Sequence, residues 1–409
     1  MAAERIRCDA AGAAAAAARV RALVPPGASV AEPVAAILAD VRARGDAAVL
    51  ELERRFGGGD GPLRVPAAEL EAAAAALDED LRGGLETAIA NVGAVAAAGL
   101  GDDRAVDLEQ GQRVTVREVP VRRAAVYAPG GRNPYPSSVV MGAVTARVAG
   151  VEEVVVVAPP HPVILGAAAL CGIEEVYRMG GAQAVGALAY GTASVPRVDV
   201  IVGPGSLWVQ EAKRQVADAV GIDGFAGPSD LTLIVSGEAD LEPLALDLLA
   251  QAEHGEGSLV VAVSDDASVL DTLAPRLGDT PGPAVLVEVA DLDAALAFAE
   301  ALAPEHLQLA GADAEALAPR VRSAGCLFVG AASGTAFGDY VAGSNHVLPT
   351  DGAARFASGL SVRHFRRTMH EVRVGAAAGA LARAGVPIAE AEGFAGHAAS
   401  MQIRENPAP

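Results

Sequence analysis

The chain has 409 residues, a net charge of −20 and a hydrophobic fraction of 52%. This length is enough for about two or three domains, and the acidic balance argues against nucleic acid or an anionic membrane as a partner, since both attract clustered positive charge. Three widely spaced cysteines without a Cys-x-x-Cys pair (Cys8, Cys171 and Cys326) argue against a disulfide framework and favour a cytoplasmic setting.

The first hundred residues are alanine-rich and predict mostly helix. This segment mixes Glu4, Arg5, Arg7 and Asp9 and has no basic flank that leads into a continuous apolar core, so it does not have the pattern of a secretory signal. The longest apolar run, from Val154 to Leu170, is broken by three prolines and a histidine. No membrane span is therefore expected.

Short β-branched runs alternate with helical stretches from Arg123 to Gly330. Such runs with helical crossovers are typical of parallel strands buried on both faces. The predicted strands are Ala124–Tyr127, Val154–Ala158, Val176–Met179, Val198–Val202, Leu231–Val235, Leu259–Val263, Ala284–Val289 and Cys326–Val329. We therefore predict an α/β fold with two doubly wound, incomplete Rossmann-like parallel-sheet domains and small helical N- and C-terminal extensions.

Turns rich in glycine and proline suggest that one domain is inserted into another. The predicted divisions are an N-terminal helical extension (1–21), an outer α/β domain with the metal and acid–base residues (22–126 plus 231–360), an inserted α/β domain with the cofactor-binding turns (127–230), and a helical C-terminal tail that packs on a partner subunit (361–409).

Three glycine-rich turns each follow a predicted strand: Tyr127–Gly131, Gly180–Ala184 and Gly203–Ser206. Backbone N–H groups at such turns can approach a phosphate or carboxylate. None of the turns matches GxGxxG, so the standard dinucleotide fingerprint is absent. Each turn alone could be purely structural, but the three together predict a shared ligand crevice.

Gln251 and His254 stand three residues apart near the end of a predicted helix, Leu241–His254, and so lie on one face. Taken alone, the pair is weak evidence and is more simply explained by a solvated helix end. Asp339 and His397 offer further oxygen and nitrogen donors, and Zn²⁺ takes about four such ligands.

Glu305 and His306 follow Pro304 and begin an extended run, at a strand end of the kind where α/β folds place active sites. The alternative is a surface loop pair. Cys171 and Cys326 lie in apolar runs and are predicted to be buried and inert, which leaves no thiolate nucleophile. Lys213 is the only lysine beside 30 arginines; coding bias explains the ratio, and a specific role for this lysine stays open.

Taken together, these segments resemble the histidinol dehydrogenase family from about residue 20 to residue 404. The matching motifs are Tyr127–Gly131, Tyr135–Met141, Gly180–Ala184, Glu211–Gln215, Gly227–Ser229, Gln251–Gly255, Ala303–Leu307, Gly338–Tyr340 and Asn345–Thr350. Two departures stand out: Ser206 replaces the usual Asn, which shortens the side chain, and Gly334-Thr335 replaces the usual Pro-Glu, which removes a carboxylate.

The resemblance implies specific residue roles. The implied zinc ligands are Gln251, His254, Asp339 and His397, with one Zn²⁺ per subunit of a homodimer and His397 supplied by the partner. Glu305 and His306 match the acid–base pair. The NAD⁺ contacts match Tyr127, Gln183 and Ser206, and the substrate contacts match Ser229, His346 and Glu392 together with His306 and the zinc ligands.

The implied reaction is the oxidation of L-histidinol to L-histidine through the aldehyde, with two NAD⁺, at the end of histidine biosynthesis. Without a thiolate, a hydrated aldehyde is the simplest route for the second oxidation. One alternative is a dehydrogenase of another polar alcohol, such as a sulfonated diol. Another is a zinc hydrolase in which Glu305 activates water.

Overall fold

The computed structural model describes residues 3–24, 29–58, 61–130, 133–225 and 227–405. The strands are β1 (Glu4–Cys8), β2 (Arg104–Asp107), β3 (Arg113–Pro120), β4 (Arg123–Tyr127), β5 (Glu153–Ala158), β6 (Val176–Arg178), β7 (Val200–Val202), β8 (Gly221–Ile222), β9 (Asp230–Val235), β10 (Leu259–Ser264), β11 (Ala284–Val289), β12 (His306–Ala310), β13 (Cys326–Val329) and β14 (Arg366–Arg373).

The α-helices are α1 (Ala13–Arg21), α2 (Ala31–Arg44), α3 (Asp46–Phe56), α4 (Ala67–Ala75), α5 (Glu79–Ala98), α6 (Pro136–Val148), α7 (Pro162–Leu170), α8 (Gly181–Tyr190), α9 (Leu207–Val216), α10 (Leu241–Ala252), α11 (Ala267–Leu273), α12 (Leu292–Leu302), α13 (Ala312–Glu315), α14 (Thr335–Tyr340), α15 (Ala378–Ala391) and α16 (Ala395–Gln402). Short 3-10 turns occur at Ala274–Leu277, Ala318–Arg320, Ala353–Arg355, Val362–Phe365 and Gly375–Ala377.

The chain forms two compact units, one of Met1–Gly99 with Val121–Phe365 and one of Leu100–Pro120 with Arg366–Pro409. The larger unit holds two parallel sheets. Their strand orders are β6-β5-β4-β7-β8 and β1-β11-β10-β9-β12-β13. The α/β prediction and all eight predicted strands are confirmed, whereas the predicted domain boundaries at 127 and 230 stay a prediction.

Alternate side chains of each strand point to opposite faces of the sheet. In both parallel sheets these side chains are buried on both faces. In β4, Val126 packs into one core while Ala125 and Tyr127 pack into the other. In β10, Val261 and Val260 likewise pack into two different cores. Every residue of β4, β9 and β10 is buried, so these strands are rigid supports for the residues at their ends.

The extensions are not wholly helical, which corrects the prediction for both ends. Glu4–Cys8 is a strand that pairs in parallel with β11, and its one buried side chain, Ile6, belongs to the core. In the smaller unit, β14 pairs antiparallel with β3, followed by α15 and α16. The charged sequence of β14 gives no apolar signal, because its pairing depends on backbone and cross-strand contacts.

Candidate functional site

A cavity of about 610 Å³ lies at the carboxyl ends of the five-stranded sheet. Its lining includes Tyr127 at the end of β4, the Gly180-Gly181 turn after β6, and Ser206 before α9. The prediction that the three glycine-rich turns share one crevice is therefore confirmed, although Gly131 lies outside the described residues. Parallel α/β sheets usually bind ligands at these carboxyl ends.

Hydrogen bonds fix the walls of this cavity. The N–H of Gly181 donates to the Tyr127 hydroxyl at 3.0 Å. The carboxylate of Glu53 accepts from the N–H of Gly180 and from Nε2 of Gln183, both at 2.9 Å. Burial raises the pKa of Glu53, and these two donors oppose the rise. Gln183 thus has a fixed orientation, while Ser206 makes no capping hydrogen bond to α9.

Glu53 lies in α3 and was missed by the sequence analysis. It is 6% exposed, and it continues the buried stripe of Ala48, Val49 and Leu52 on that helix. A carboxylate at an apolar position of an amphipathic helix is the signal that could have identified it.

Glu305 and His306 lie at the amino ends of the six-stranded sheet, where His306 begins β12 and Asp230 begins β9. This corrects the sequence-based argument that linked the pair to the usual active-site edge, which is the carboxyl edge. The chain reaches this position through Ala303, whose φ of 49° is unusual for a residue with a side chain. Glu305 and His306 are 6% and 3% exposed, which also overturns the surface-loop alternative.

Asp230 holds both members of this pair. Its N–H donates to the Glu305 carboxylate at 3.0 Å, and its carboxylate accepts from the Glu305 N–H at 2.8 Å. Its carbonyl lies 3.1 Å from Nδ1 of His306. Because a carbonyl only accepts, Nδ1 carries the proton and Nε2 of the neutral ring has the lone pair.

Arg21, at the end of α1, neutralises the buried Asp230 carboxylate. Its Nη1 lies 2.6 Å from Asp230 Oδ2, and its Nη2 donates to the carbonyl of Leu302 at 2.6 Å. Burial raises the pKa of Asp230, and Arg21 opposes the rise. Neither Asp230 nor Arg21 was predicted from the sequence as a site residue.

The two acid–base candidates have strongly shifted pKa values. Burial raises the pKa of Glu305 to about 7, against the opposing effect of His306. Burial alone would lower the pKa of His306, but the carboxylates of Asp339 and Glu305 outweigh it and raise the pKa to about 9. Nε2 of His306 lies 3.7 Å from Oδ1 of Asp339. Both groups can therefore change protonation near neutral or mildly alkaline pH.

Gln251 lies in the last turn of α10 and is linked to this pair through Ser229, and His254 follows two residues after the end of the helix. Nε2 of Gln251 donates to the Ser229 hydroxyl, which in turn donates to the Glu305 carboxylate. Nδ1 of His254 lies 3.1 Å from the carbonyl of Gln251, so this nitrogen is the donor and Nε2 is left for a ligand. An imidazole held by a carbonyl on its other nitrogen is the usual arrangement of a metal-binding histidine.

His346 connects Asp339 to the five-stranded half of the unit. Its Nδ1 lies 2.9 Å from the carbonyl of Asp339, and its Nε2 lies 3.2 Å from the hydroxyl of Ser138 in α6. Burial lowers the pKa of His346, which keeps the ring neutral. The structure thus brings together six of the predicted site residues: Ser229, Gln251, Glu305, His306, Asp339 and His346.

Glu392 and His397 belong to the smaller unit. Glu392 directly follows α15, and His397 lies in α16 with its ring 5.3 Å from that of Phe394. Across the described ranges, no three or more His, Cys, Asp or Glu residues are grouped so that they could hold a metal ion. The larger unit offers one imidazole, one carboxylate and one amide from the predicted ligand set, which is one ligand short of four.

Cys326 begins β13 and is only half-buried, which corrects the prediction that it is fully buried. Its Cα is paired in register with that of His306. Burial raises the pKa of Cys326, so the group is a thiol at neutral pH. Cys171 is buried as predicted, and burial raises its pKa to about 12.

Among the described residues, no helix combines the length and apolar character needed to cross a membrane.

Comparison with known proteins identifies a family. The family model described as "Histidinol dehydrogenase" matches residues 26–405. A histidinol dehydrogenase from Gluconobacter oxydans is 43% identical over 399 residues, which cover 92% of this chain and 93% of the relative. One from Halobacterium salinarum is 44% identical over 397 residues, with coverage of 92% and 93%.

A solved structure agrees with the sequence relatives. The crystal structure of a histidinol dehydrogenase from Elizabethkingia anophelis has a TM-score of 0.88 and 28% identity, and the match covers 95% of each chain. The chain therefore belongs to the histidinol dehydrogenase family, and it is an oxidoreductase.

Proposed function

We propose that the protein catalyses the zinc-dependent, NAD-linked oxidation of L-histidinol to L-histidine through L-histidinaldehyde, in the cytoplasm. The observation that carries the proposal is the buried pair of Glu305 and His306, locked by Asp230 and placed beside Asp339. Oxidising an alcohol to an acid requires two proton abstractions in different geometries, and this pair offers two bases.

His306 is the proposed base for the first oxidation. Its Nδ1 donates to the Asp230 carbonyl, so Nε2 is the atom that takes the proton of the substrate hydroxyl. The Asp339 carboxylate raises the pKa of His306 as long as no cation is bound to that carboxylate. As a metal ligand, Asp339 would share that charge, which would lower the pKa of His306 and leave Nε2 unprotonated, and therefore available as a base, at neutral pH.

Glu305 is the proposed base for the second step, in which water adds to the aldehyde. Its carboxylate, with a pKa of about 7, is a base suited to neutral pH. The hydroxyl of Ser229 and the N–H of Asp230 orient it through Oε2. The protonated Cys326 thiol supports hydration of the aldehyde rather than thiolate attack.

The residues near His306 fit a zinc ion. An amide oxygen, an imidazole nitrogen and a carboxylate are suitable donors, and hydrogen bonds to Ser229 and to a carbonyl already orient Gln251 and His254. Gln251, His254 and Asp339 would hold the ion. When bound, zinc would act as a template that grips the imidazole and amine of histidinol.

The cavity on the five-stranded sheet fits a dinucleotide. Gly180 and Gly181 have no side chains and leave room for a ligand beside the turn, while the fixed amide of Gln183 and the hydroxyls of Tyr127 and Ser206 are polar groups of the kind that bind phosphates and riboses. When bound there, NAD⁺ would supply the hydride acceptor for each oxidation.

His397 and Glu392 are proposed to complete the site from the partner subunit of a homodimer. In support, the smaller unit exposes large apolar side chains, with Phe394, Ile388 and Ile403 53%, 62% and 78% exposed. Such residues are enriched in subunit interfaces. His397 would supply the fourth zinc ligand and Glu392 a substrate contact.

Formation of NADH from NAD⁺ and L-histidinol tests this function, measured before chelation, after it, and after zinc is restored. We expect activity to disappear on chelation and to return with zinc. A preference for another polar alcohol in a substrate panel would redirect the proposal to a paralogous dehydrogenase. Failure to bind NAD⁺, combined with chelator-sensitive amide or ester hydrolysis, would overturn it.

A further inference from the structure

The only lysine of the chain is buried in α9, directly behind the proposed cofactor turn. Lys213 is 1% exposed, in a chain that otherwise uses 30 arginines as its basic residues. Its Nζ donates to the carbonyl of Gly203 at 3.0 Å and pairs with Oδ1 of Asp223. Asp223, which follows β8, is equally enclosed, with a side-chain exposure of 4%.

The Lys213–Asp223 ion pair forms hydrogen bonds with both backbone polar groups of Gly203. The N–H of Gly203 donates to Oδ2 of Asp223 at 2.6 Å, while the carbonyl of Gly203 accepts from Lys213. The pair therefore fixes the first residue of the Gly203–Ser206 turn from two directions. A buried charge needs partners of this kind, because an unpaired one is costly in the interior.

Gly203 also determines how close the turn lies to β4. Its φ is 117°, and a Cβ at this position would stand 2.1 Å from the carbonyl oxygen of Tyr127. The turn therefore lies against the backbone of Tyr127, and both Tyr127 and Ser206 line the cavity. A shift of Gly203 would move two of the three proposed NAD⁺ contacts.

The chemistry of the position explains why lysine persists there. An ammonium group is compact and has three donors, whereas a guanidinium is planar and has five. With one carbonyl and one carboxylate as partners in a closed site, arginine would leave several donors unpaired. Coding bias towards arginine explains why the chain has no other lysine. At residue 213 the closed site favours lysine over arginine.

We propose that Lys213 and Asp223 are positioning residues that hold the Gly203–Ser206 turn in its NAD⁺-binding shape, an inference that rests on the proposed function. The two residues act through the Gly203 peptide and not by touching the cofactor.

The experiment compares Lys213→Met, the charge-neutral double variant Lys213→Met with Asp223→Leu, and Arg123→Met in the purified full-length protein. Arg123 is the matched control, because its buried side chain pairs with the partly exposed carboxylates of Glu153 at 2.5 Å and Glu175 at 2.6 Å, at the opposite end of β4. The double variant leaves no unpaired buried charge, so it keeps the test meaningful if the single variant fails to fold.

Two readouts separate positioning from general destabilisation. The first is the KM for NAD⁺ set against the KM for histidinol. The second is the emission of Trp208, which is the only tryptophan in the chain and lines the cavity beside the turn. We expect the KM for NAD⁺ to rise by about tenfold or more in the double variant, with little change for histidinol, and Trp208 emission to shift before NAD⁺ is added.

The control should keep both the wild-type KM for NAD⁺ and the wild-type emission, even if its unfolding temperature falls. A double variant with wild-type KM for NAD⁺ and unchanged Trp208 emission would overturn the inference. A wild-type protein that does not bind NAD⁺ would instead overturn the proposed function, so the two failures are distinguishable.

Discussion

Asp230 and Glu305 exchange two hydrogen bonds, each donating its backbone N–H to the carboxylate of the other, at 3.0 and 2.8 Å. This reciprocal contact fixes the backbone between β9 and β12 as well as the direction of the Glu305 carboxylate. The carbonyl of Asp230 also orients His306. One buried aspartate thus sets the geometry of both proposed bases.

Glu305→Gln and His306→Asn should affect different half-reactions. The amide of Gln cannot take a proton from water, so Glu305→Gln should slow aldehyde oxidation by about 100-fold or more. His306→Asn should slow alcohol oxidation by a similar factor. Single-turnover assays that start from histidinol and from histidinaldehyde measure each step, and equal losses in both steps for both variants would contradict this division.

The oxidation of the aldehyde should depend on pH through Glu305. Its pKa is raised to about 7, and only the carboxylate form can act as a base. The rate of this step should therefore reach a plateau above pH 7 and fall about tenfold per pH unit below it. A rate that stays constant down to pH 5 would show that another group activates water.

Arg21→Met should move this pH profile to higher values. The substitution removes the cation 2.6 Å from Asp230, and the Asp230 charge raises the pKa of Glu305. We expect an upward shift of about one pH unit in the midpoint for aldehyde oxidation. Arg19→Met is the control, since Arg19 lies in the same helix and pairs with Glu4 at the surface. An unchanged midpoint in Arg21→Met would rule out this electrostatic link.

Cys326→Ser should retain both oxidations, within about threefold of the wild-type rates, because loss of a true nucleophile costs orders of magnitude. The thiol lies next to His306, but burial keeps it protonated. Trapping the reaction with aldehyde provides a second check. A covalent adduct on Cys326, or loss of only the second oxidation, would favour a thiolate route.

Mixed dimers test whether His397 acts across the subunit interface. His254→Ala and His397→Ala should each be inactive as homodimers. Random mixing of the two variants should restore about a quarter of the wild-type activity, because each mixed dimer would have one intact site. Mixtures without activity would place all four zinc ligands within one subunit.

The sequence predicted those parts of the fold and site that depend on local patterns. Continuous β-branched runs identified the buried strands, and glycine turns after β4, β6 and β7 identified one crevice. Glu53, Arg21 and Asp230 were missed because their roles depend on distant partners: Arg21 and Asp230 are 209 residues apart, and Glu53 and Gly180 are 127 apart. The local periodicity of the sequence does not indicate contacts between residues so far apart.

The edge of the sheet at which Glu305 and His306 lie was also predicted wrongly. Glu305 and His306 were predicted to lie at the carboxyl edge because most α/β sites lie there. The structure has the glycine crevice at the carboxyl edge of one sheet and the acid–base pair at the amino edge of the other. Which edge of which sheet faces the ligand depends on the packing of the sheets, which strand patterns do not encode.

The most direct test of the proposed reaction is the number of NADH molecules formed for each L-histidinol consumed, measured by absorbance together with quantification of histidine. Two sequential oxidations at one site predict two NADH per histidine, with little free aldehyde. One NADH per histidinol, with accumulation of histidinaldehyde, would contradict the proposal that Glu305 and His306 serve a double oxidation.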